Sequence, residues 1–256
     1  MAMRLLLSIP LFFAFIVPAM AQAAQCTAES GVGTAALVEL YTSEGCSSCP
    51  PAERWLASLD SRYPAGKIVA LALHVDYWDY IGWKDPYAKR EFSLRQRKLS
   101  QLQRMALVYT PQVLLQGRDF RGWGGSAFDA ALAKINAQPA RAKLKLTVTA
   151  AESAALQVEA VAELLQGAAE ADLYVAAYRS GLQSQVKAGE NRGRFLTHDY
   201  VVLEWQGPCA LPGKTLSERR KVPLLPGANP ANSGVAAFVQ DRRTGEVLQA
   251  LLRSAC

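Results

Sequence analysis

Histidine is scarce in this sequence, which contains only His74 and His198 among its 256 residues. Of the five cysteines, Cys46 and Cys49 form the one closely spaced pair. A structural zinc site usually takes four Cys or His ligands, so a single pair does not favour zinc. A serine hydrolase is not indicated either, because the serines between the two cysteines lack a nucleophile-elbow context and the histidines show no triad spacing.

Long apolar runs are absent after the N-terminus. Residues 1–24 contain Arg4, an apolar stretch from Leu5 to Val17 and small-x-small tripeptides before residue 24, which is the pattern of a secretory signal peptide. A transmembrane helix is the alternative, but the stretch is shorter than the roughly 20 residues that span a bilayer. We therefore expect a periplasmic or secreted protein without a stable membrane anchor.

The excess of positive over negative residues is also small: the sequence has 28 Lys and Arg against 22 Asp and Glu, which gives a formal net charge of +6. Many basic residues, Arg95 among them, fall between Lys84 and Arg104, where apolar residues recur at helical spacing. This pattern predicts an amphipathic helix with a solvated charged face. Nucleic-acid binding is not expected, because this explanation suffices and export leads away from most nucleic acid.

The hydrophobic content is high enough for a large core, since half of the residues are hydrophobic. A chain of this length holds one large or two modest domains. We predict two domains with a boundary at Pro139, one over residues 30–139 and one over residues 140–256. Alternating short segments in the second domain are typical of a β-rich, sandwich-like structure.

The first domain shows the order strand, helix, strand, helix, strand, strand, helix. The second strand, residues 67–75, is a continuous apolar run that predicts a strand buried on both faces. The last helix is predicted to begin with a capping box formed by Ser126 and Asp129. The predicted fold class is therefore α/β.

Cys46 and Cys49 lie between the first predicted strand and the first predicted helix. The free N–H groups and the positive dipole end of a helix favour a thiolate on the first cysteine of such a pair. The context therefore predicts a thiol–disulfide site, with a purely structural disulfide and a metal site as the alternatives.

The remaining cysteines are Cys26, Cys209 and Cys256. Disulfides persist in the oxidising compartments to which a signal peptide leads. At most two of these three residues can pair with each other, so one thiol is left over. Three pairings are possible, and the sequence leaves them open.

The strand order and the cysteine pair resemble the thioredoxin fold. Thioredoxin-like proteins place a cis proline opposite the pair, and the resemblance puts Thr110 and Pro111 at that position. Such a loop lends backbone groups to an incoming polypeptide. Thioredoxins also bury an acidic residue six positions before the first cysteine, whereas this sequence has Leu40 there and Glu39 one residue earlier.

Three segments, TSEGCSSCPPA from residue 42, HVDYWDYIGWKDP from residue 74 and YTPQ from residue 109, resemble an exported thioredoxin-like family catalogued as domain of unknown function 1223. The resemblance covers nearly all of the mature chain. Together with the helix geometry, it implies that Cys46 attacks and that Cys49 resolves the mixed disulfide.

The segment after the second strand supplies further candidate binding residues. Asp76, Tyr77 and Trp78 follow a central strand at its carboxyl end, where open α/β sheets usually carry their sites. These side chains are predicted to line a substrate groove or, alternatively, to pack against the cysteine helix. His74 is predicted to be a buried histidine with satisfied hydrogen bonds rather than a ligand.

The functional prediction is an exported thiol–disulfide oxidoreductase that acts on protein thiols or on a redox partner protein and needs no cofactor or metal. The alternative is a non-catalytic thioredoxin-fold binding module. A copper metallochaperone is the sharpest form of that alternative, provided that Cys46, Cys49 and His74 converge on one ion.

Overall fold

The computed structural model describes residues 25–151, 155–165, 170–223 and 229–255. The predicted signal peptide, residues 1–24, and Cys256 lie outside the described residues. Within them the fold is mixed α/β and is dominated by strands. No helix in this part of the chain is long and apolar enough to cross a membrane.

Strands and short helices alternate up to residue 136, and strands predominate after it. The strands are β1 (Gln25–Glu29), β2 (Ala36–Thr42), β3 (Ile68–His74), β4 (Gln112–Leu115), β5 (Arg118–Asp119), β6 (Ala142–Ala151), β7 (Ala155–Leu164), β8 (Ala171–Arg179), β9 (Leu182–Gln185), β10 (Phe195–His198), β11 (Val201–Ala210), β12 (Thr215–Pro223), β13 (Ser233–Asp241) and β14 (Val247–Ser254). The helices are α1 (Cys49–Ala57), α2 (Leu59–Arg62), α3 (Arg90–Leu102) and α4 (Ser126–Asn136), with 3₁₀ turns at Asp76–Ile81 and Pro230–Asn232.

An eight-stranded sheet organises the molecule in the order β14-β13-β8-β11-β3-β2-β4-β5. Strand β3 runs parallel to both β2 and β11, and the other neighbouring pairs are antiparallel. The apolar run of β3 is explained by this central place, because both of its faces are covered. The sheet joins strands from both sides of residue 139.

A second sheet has the order β1-β6-β7-β12. Buried residues alternate along β7, which is typical of a strand with one face on the core. Side chains of β6 and β7 share a hydrophobic core with β8, β13 and β14 of the large sheet. The two sheets are therefore layered face to face over this part of the chain.

Helices cover the other half of the large sheet on both faces. Because successive strand residues point to opposite faces, Val38 and Leu40 of β2 face one layer, whereas Leu37 and Tyr41 face the other. The first layer contains Trp55, Leu56, Phe128 and Leu132 of α1 and α4, and the second contains Phe92 and Leu99 of α3. The loop that carries the cysteine pair lies on the α1 side.

The predicted capping box at α4 is wrong. The N-cap residue is Gly125 in an extended conformation, and no side chain caps the helix. Ser126 is already helical, so its hydroxyl is not in the N-cap position from which it would accept an N–H hydrogen bond. The Asp129 carboxylate instead accepts a hydrogen bond from the Tyr63 hydroxyl and pairs with Arg62.

Arg95 on α3 does not belong to a solvated face, contrary to prediction. Its side chain is only 7% exposed and binds the fully buried Glu39 carboxylate through Nε at 2.6 Å and Nη2 at 3.1 Å. The guanidinium also lies over the rings of Tyr174, Trp205 and Phe238 at 4.7–5.1 Å. A carboxylate on an inner strand is costly without a cation, which explains why Arg95 is drawn inward.

Candidate functional site

The cysteine pair occupies the turn between β2 and α1. Cys46 N–H donates to the Ser43 carbonyl at 3.1 Å, and Cys49 N–H donates to the Cys46 carbonyl at 3.2 Å. Cys49 begins α1, and Pro50 follows in the first turn, where a missing N–H is no loss. Both cysteines are free thiols, and the turn holds them at the positive end of the helix.

The two thiols have opposite acidities. A hydrogen bond from Cys49 lowers the pKa of Cys46 to about 6, with further hydrogen bonds from Ser48 and Thr110 that together outweigh burial. The Cys46 sulfur lies 3.2 Å from the Ser48 hydroxyl. Burial, followed by the interaction with Cys46, raises the pKa of Cys49 well above its ordinary value. Near neutral pH, Cys46 is therefore the thiolate and Cys49 its protonated hydrogen-bond donor.

The alkylation rate of Cys46 is expected to rise with pH through about 6 and to level off above it. The thiolate reacts and the thiol does not, so the rate follows the deprotonated fraction. Cys209 is an internal control, because burial raises the pKa of its thiol. Peptide mass spectrometry after short iodoacetamide pulses measures both residues, and a Cys46 rate that rises only above pH 8 would contradict the assignment.

The loop between β9 and β10 covers the cysteine turn. The Asn191 side-chain amide donates to the carbonyls of Glu44 and Cys46 at 2.8 and 2.9 Å. The N–H and hydroxyl of Ser47 both donate to a Glu190 carboxylate oxygen, at 2.9 and 2.8 Å. Cys46 is only 1% exposed, so a protein partner reaches its sulfur only after local displacement of the surrounding groups.

Several predicted binding residues lie beside the pair. The Thr110–Pro111 peptide bond is cis. The Trp78 indole N–H donates to the Thr110 hydroxyl at 2.7 Å. Burial raises the pKa of Tyr77 to about 12, with smaller contributions from Cys49 and Cys46. Asp76, by contrast, binds the Ser93 hydroxyl of α3 at 2.5 Å, so its carboxylate is directed to that helix.

A buried polar network begins behind Cys49. The Thr42 hydroxyl lies against Cys49, and its interaction with the Cys49 sulfur is among those that lower the pKa of this thiol. The same hydroxyl donates to a Glu53 carboxylate oxygen at 2.5 Å. The other Glu53 oxygen lies 2.7 Å from His198 Nδ1. Glu53 is four residues after Cys49 in α1, so the two residues share the inner helix face.

The network continues to both histidines. His198 Nε2 lies 3.0 Å from a Glu44 oxygen, whose partner oxygen accepts the Trp83 indole N–H at 2.7 Å. Burial disfavours the His198 imidazolium, but hydrogen bonds to Glu44 and Glu53 outweigh it and raise its pKa to about 10. His74 Nδ1 lies 2.7 Å from Asp85, and the two imidazole rings are 5.1 Å apart.

The sequence predictions missed this network. His74 is buried as predicted, but its Nε2 has no hydrogen-bond partner among the described residues. The sequence pattern assigns no role to His198. The one local signal is the spacing of Glu53, four residues after Cys49 on the predicted helix, which indicates an acid behind the pair. Among the described residues, Glu53, His74 and His198 form a cluster of possible metal ligands. Cys46, Cys49 and His74, on which the copper alternative depends, do not form such a cluster.

The other cysteines differ in state. Cys26 is disulfide-bonded, whereas Cys209 is a free, partly buried thiol. Both pairings that involve Cys209 are therefore excluded. Cys256 lies outside the described residues, so the remaining possibility stays a prediction.

Similar solved structures are known. A crystal structure of an Agrobacterium tumefaciens protein is 26% identical, covers 87% of this chain and 95% of that one, and has a TM-score of 0.63. HBP35 of Porphyromonas gingivalis is 16% identical, with 88% and 76% covered and a TM-score of 0.65, which supports the fold alone. A domain of the outer membrane lipoprotein Omp28 from Porphyromonas gingivalis is 15% identical, covers 45% of this chain and 88% of that one, and has a TM-score of only 0.28.

A family model identifies the relationship more directly. No curated protein matches the chain significantly. The model described as protein of unknown function, DUF1223, matches residues 37–240, which include the cysteine turn, both histidines and Thr110–Pro111. The chain belongs to the DUF1223 family.

Proposed function

We propose that this protein is an exported thiol–disulfide oxidoreductase that acts on protein thiols. The observation that carries the proposal is the pair of free thiols with opposite pKa shifts at the start of α1. A purely structural disulfide does not require one cysteine that is stabilised as a thiolate and another that stays protonated. A dithiol that exchanges disulfides needs both.

The reaction is two successive thiol–disulfide exchanges. The Cys46 thiolate attacks one sulfur of a partner disulfide, that S–S bond breaks, and one partner sulfur leaves as a thiolate. Cys49, after losing its proton, then attacks the Cys46 sulfur and releases the second partner thiolate. The protein loses two electrons and forms the Cys46–Cys49 disulfide, while the partner gains two electrons. Its two leaving thiolates become thiols by taking the proton that Cys49 loses and one proton from water. The reverse sequence oxidises a partner dithiol.

The surroundings of the pair support recognition of a polypeptide. Thr110 contacts Cys46 through a hydrogen bond and holds the Trp78 indole. Trp78 and Tyr77 offer aromatic surface next to the reactive sulfur, and aromatic residues suit extended chains with mixed polarity. We assign Thr110, Pro111, Tyr77 and Trp78 to partner binding, and Asp76 to anchoring this segment on α3 through Ser93.

The fold and compartment belong to the same proposal. The order β2, α1, β3, α3, β4, β5, α4 supports a thioredoxin-like domain over residues 30–139, followed by a β-rich domain over residues 140–256. The signal-like N-terminus and the disulfide-bonded Cys26 support an oxidising, extracytoplasmic location. Electrons pass between sulfur atoms, so the reaction needs no organic cofactor.

The test is a redox titration of the pair in a Cys209→Ser background. In glutathione buffers, the dithiol and disulfide forms are expected to interconvert with one midpoint between about −300 and −120 mV. Alkylation with a mass label after acid quenching measures the fraction reduced. A pair that stays entirely oxidised or entirely reduced over this range contradicts the proposal, and the Cys46→Ser variant is the matched blank.

A further inference from the structure

A compact group of potential metal ligands lies behind the cysteine turn. One ligand atom each from Glu53, His74 and His198 falls within 4.8 Å of the other two. The three residues are 7%, 0% and 1% exposed. They come from α1, β3 and β10, so the tertiary fold assembles the group, here called the His–Glu cluster.

Both histidines of the His–Glu cluster have a carboxylate behind them. His74 Nδ1 lies 2.7 Å from Asp85, and His198 Nε2 lies 3.0 Å from Glu44. Metal-binding histidines almost always donate their second ring N–H to a carboxylate, carbonyl or water, which orients the other nitrogen toward the ion. The two pairs match that arrangement, with His74 Nε2 and His198 Nδ1 as the remaining nitrogens.

His74 Nε2 is the second, independent observation. It is completely buried and has no hydrogen-bond partner among the described residues. A buried polar atom without a partner costs about 1–3 kcal/mol. The other three ring nitrogens of the two histidines each contact a carboxylate. A cation beside Glu53 would give His74 Nε2 the partner that it lacks.

The charge balance also favours a cation. Three buried carboxylates, from Glu44, Glu53 and Asp85, face two imidazole rings. A divalent ion beside them would offset two of these negative charges. Buried carboxylates require such compensation, because removal from water is expensive for an unpaired charge.

We propose that the His–Glu cluster binds Zn²⁺ through His74 Nε2, His198 Nδ1 and the Glu53 carboxylate. Two imidazoles and one carboxylate are an established zinc donor set, with water in the fourth position. Ligand atoms around tetrahedral zinc lie about 3.3 Å apart. The 2.7 Å contact between His198 and Glu53 therefore opens by about half an ångström, and the proton between them is released.

This inference goes beyond the proposed redox function and does not depend on it. Thr42 connects Glu53 to Cys49, so the ion lies close behind the resolving cysteine without using its sulfur. Because thiols also bind zinc, the experiment removes them. The thiol-free parent carries Cys46→Ser, Cys49→Ser and Cys209→Ser, which eliminates the free thiols of the described residues.

The experiment is equilibrium dialysis of the thiol-free parent against Zn²⁺, with metal analysis and zinc-edge X-ray absorption. The expected result is one zinc per chain with a nitrogen and oxygen shell at 2.0–2.2 Å. His74→Gln and Glu53→Gln are expected to abolish binding, and Asp85→Asn to weaken it about 10–100-fold. Glu190→Gln, which alters an exposed carboxylate outside the His–Glu cluster, is the matched control and keeps full binding.

Three results would overturn the proposal. The first is that the thiol-free parent contains no zinc after dialysis. The second is that folded His74→Gln binds zinc with full affinity. The third is that Glu190→Gln loses as much zinc as the ligand variants do. Circular dichroism verifies the fold of each variant. If His74→Gln does not fold, the X-ray absorption spectrum of the parent decides, since a shell without two imidazoles is incompatible with the site.

Discussion

The Cys49→Ser variant is expected to accumulate mixed disulfides with exported proteins. Cys46 remains a nucleophile in this variant, but the thiol that resolves the intermediate is missing. The covalent complexes should appear as reducible bands of higher mass on non-reducing gels of whole cells. Mass spectrometry of those bands identifies the partners. The effect is large because one step of the cycle is removed rather than slowed.

Cys46→Ser is the matched variant and should trap almost nothing. Burial holds the pKa of Cys49 well above its ordinary value, so Cys49 is a poor nucleophile near neutral pH. Both variants carry Cys209→Ser, which removes the other free thiol of the described residues. Two results would contradict the proposed mechanism and favour a structural role for the pair. One is equal trapping by both variants, and the other is no trapping by either variant although both are folded.

Arg95→Met is expected to lower the free energy of unfolding by about 3–5 kcal/mol. The substitution leaves the Glu39 carboxylate, which is fully buried, without its bidentate partner. It also removes the guanidinium that lies over the rings of Tyr174 and Trp205. Urea denaturation followed by circular dichroism measures the change, provided that the transition remains cooperative.

The double variant Glu39→Leu/Arg95→Met distinguishes a charge effect from lost packing. An apolar pair of similar volume removes the unpaired carboxylate, and such replacements are often neutral or stabilising. The double variant is therefore expected to recover most of the stability lost in Arg95→Met. If both variants are equally unstable, the aromatic packing around Arg95 matters more than the ion pair.

The sequence by itself predicted the features that depend on local pattern. Apolar runs of strand length identify β2 and β3, and alternation identifies much of β7. The apolar spacing after residue 49 identifies α1 and places the cysteine pair at its start. These signals are read from neighbouring residues, so no knowledge of distant contacts is needed.

Other features required the tertiary structure. Arg95 lies in a basic helical segment, where a charged residue is expected to be exposed. Only the position of Glu39 on an inner strand brings Arg95 into the core. The cover over Cys46 depends on Asn191. This residue lies between Gly189 and Gly193, and glycine and asparagine at such spacing indicate only a turn. In both cases the decisive energy is the cost of an unpaired polar group in the interior.

The cysteine turn and the His–Glu cluster show the same division. The sequence located Cys46 and Cys49 and indicated a thiolate, because helix-start chemistry is local. It did not reveal that β3, α1 and β10 bring His74, Glu53 and His198 within 4.8 Å. The pKa values of Cys46 and Cys49, and the lack of a hydrogen-bond partner for His74 Nε2, result from burial and from neighbouring groups. Only the tertiary fold determines which chain segments pack together and exclude water there.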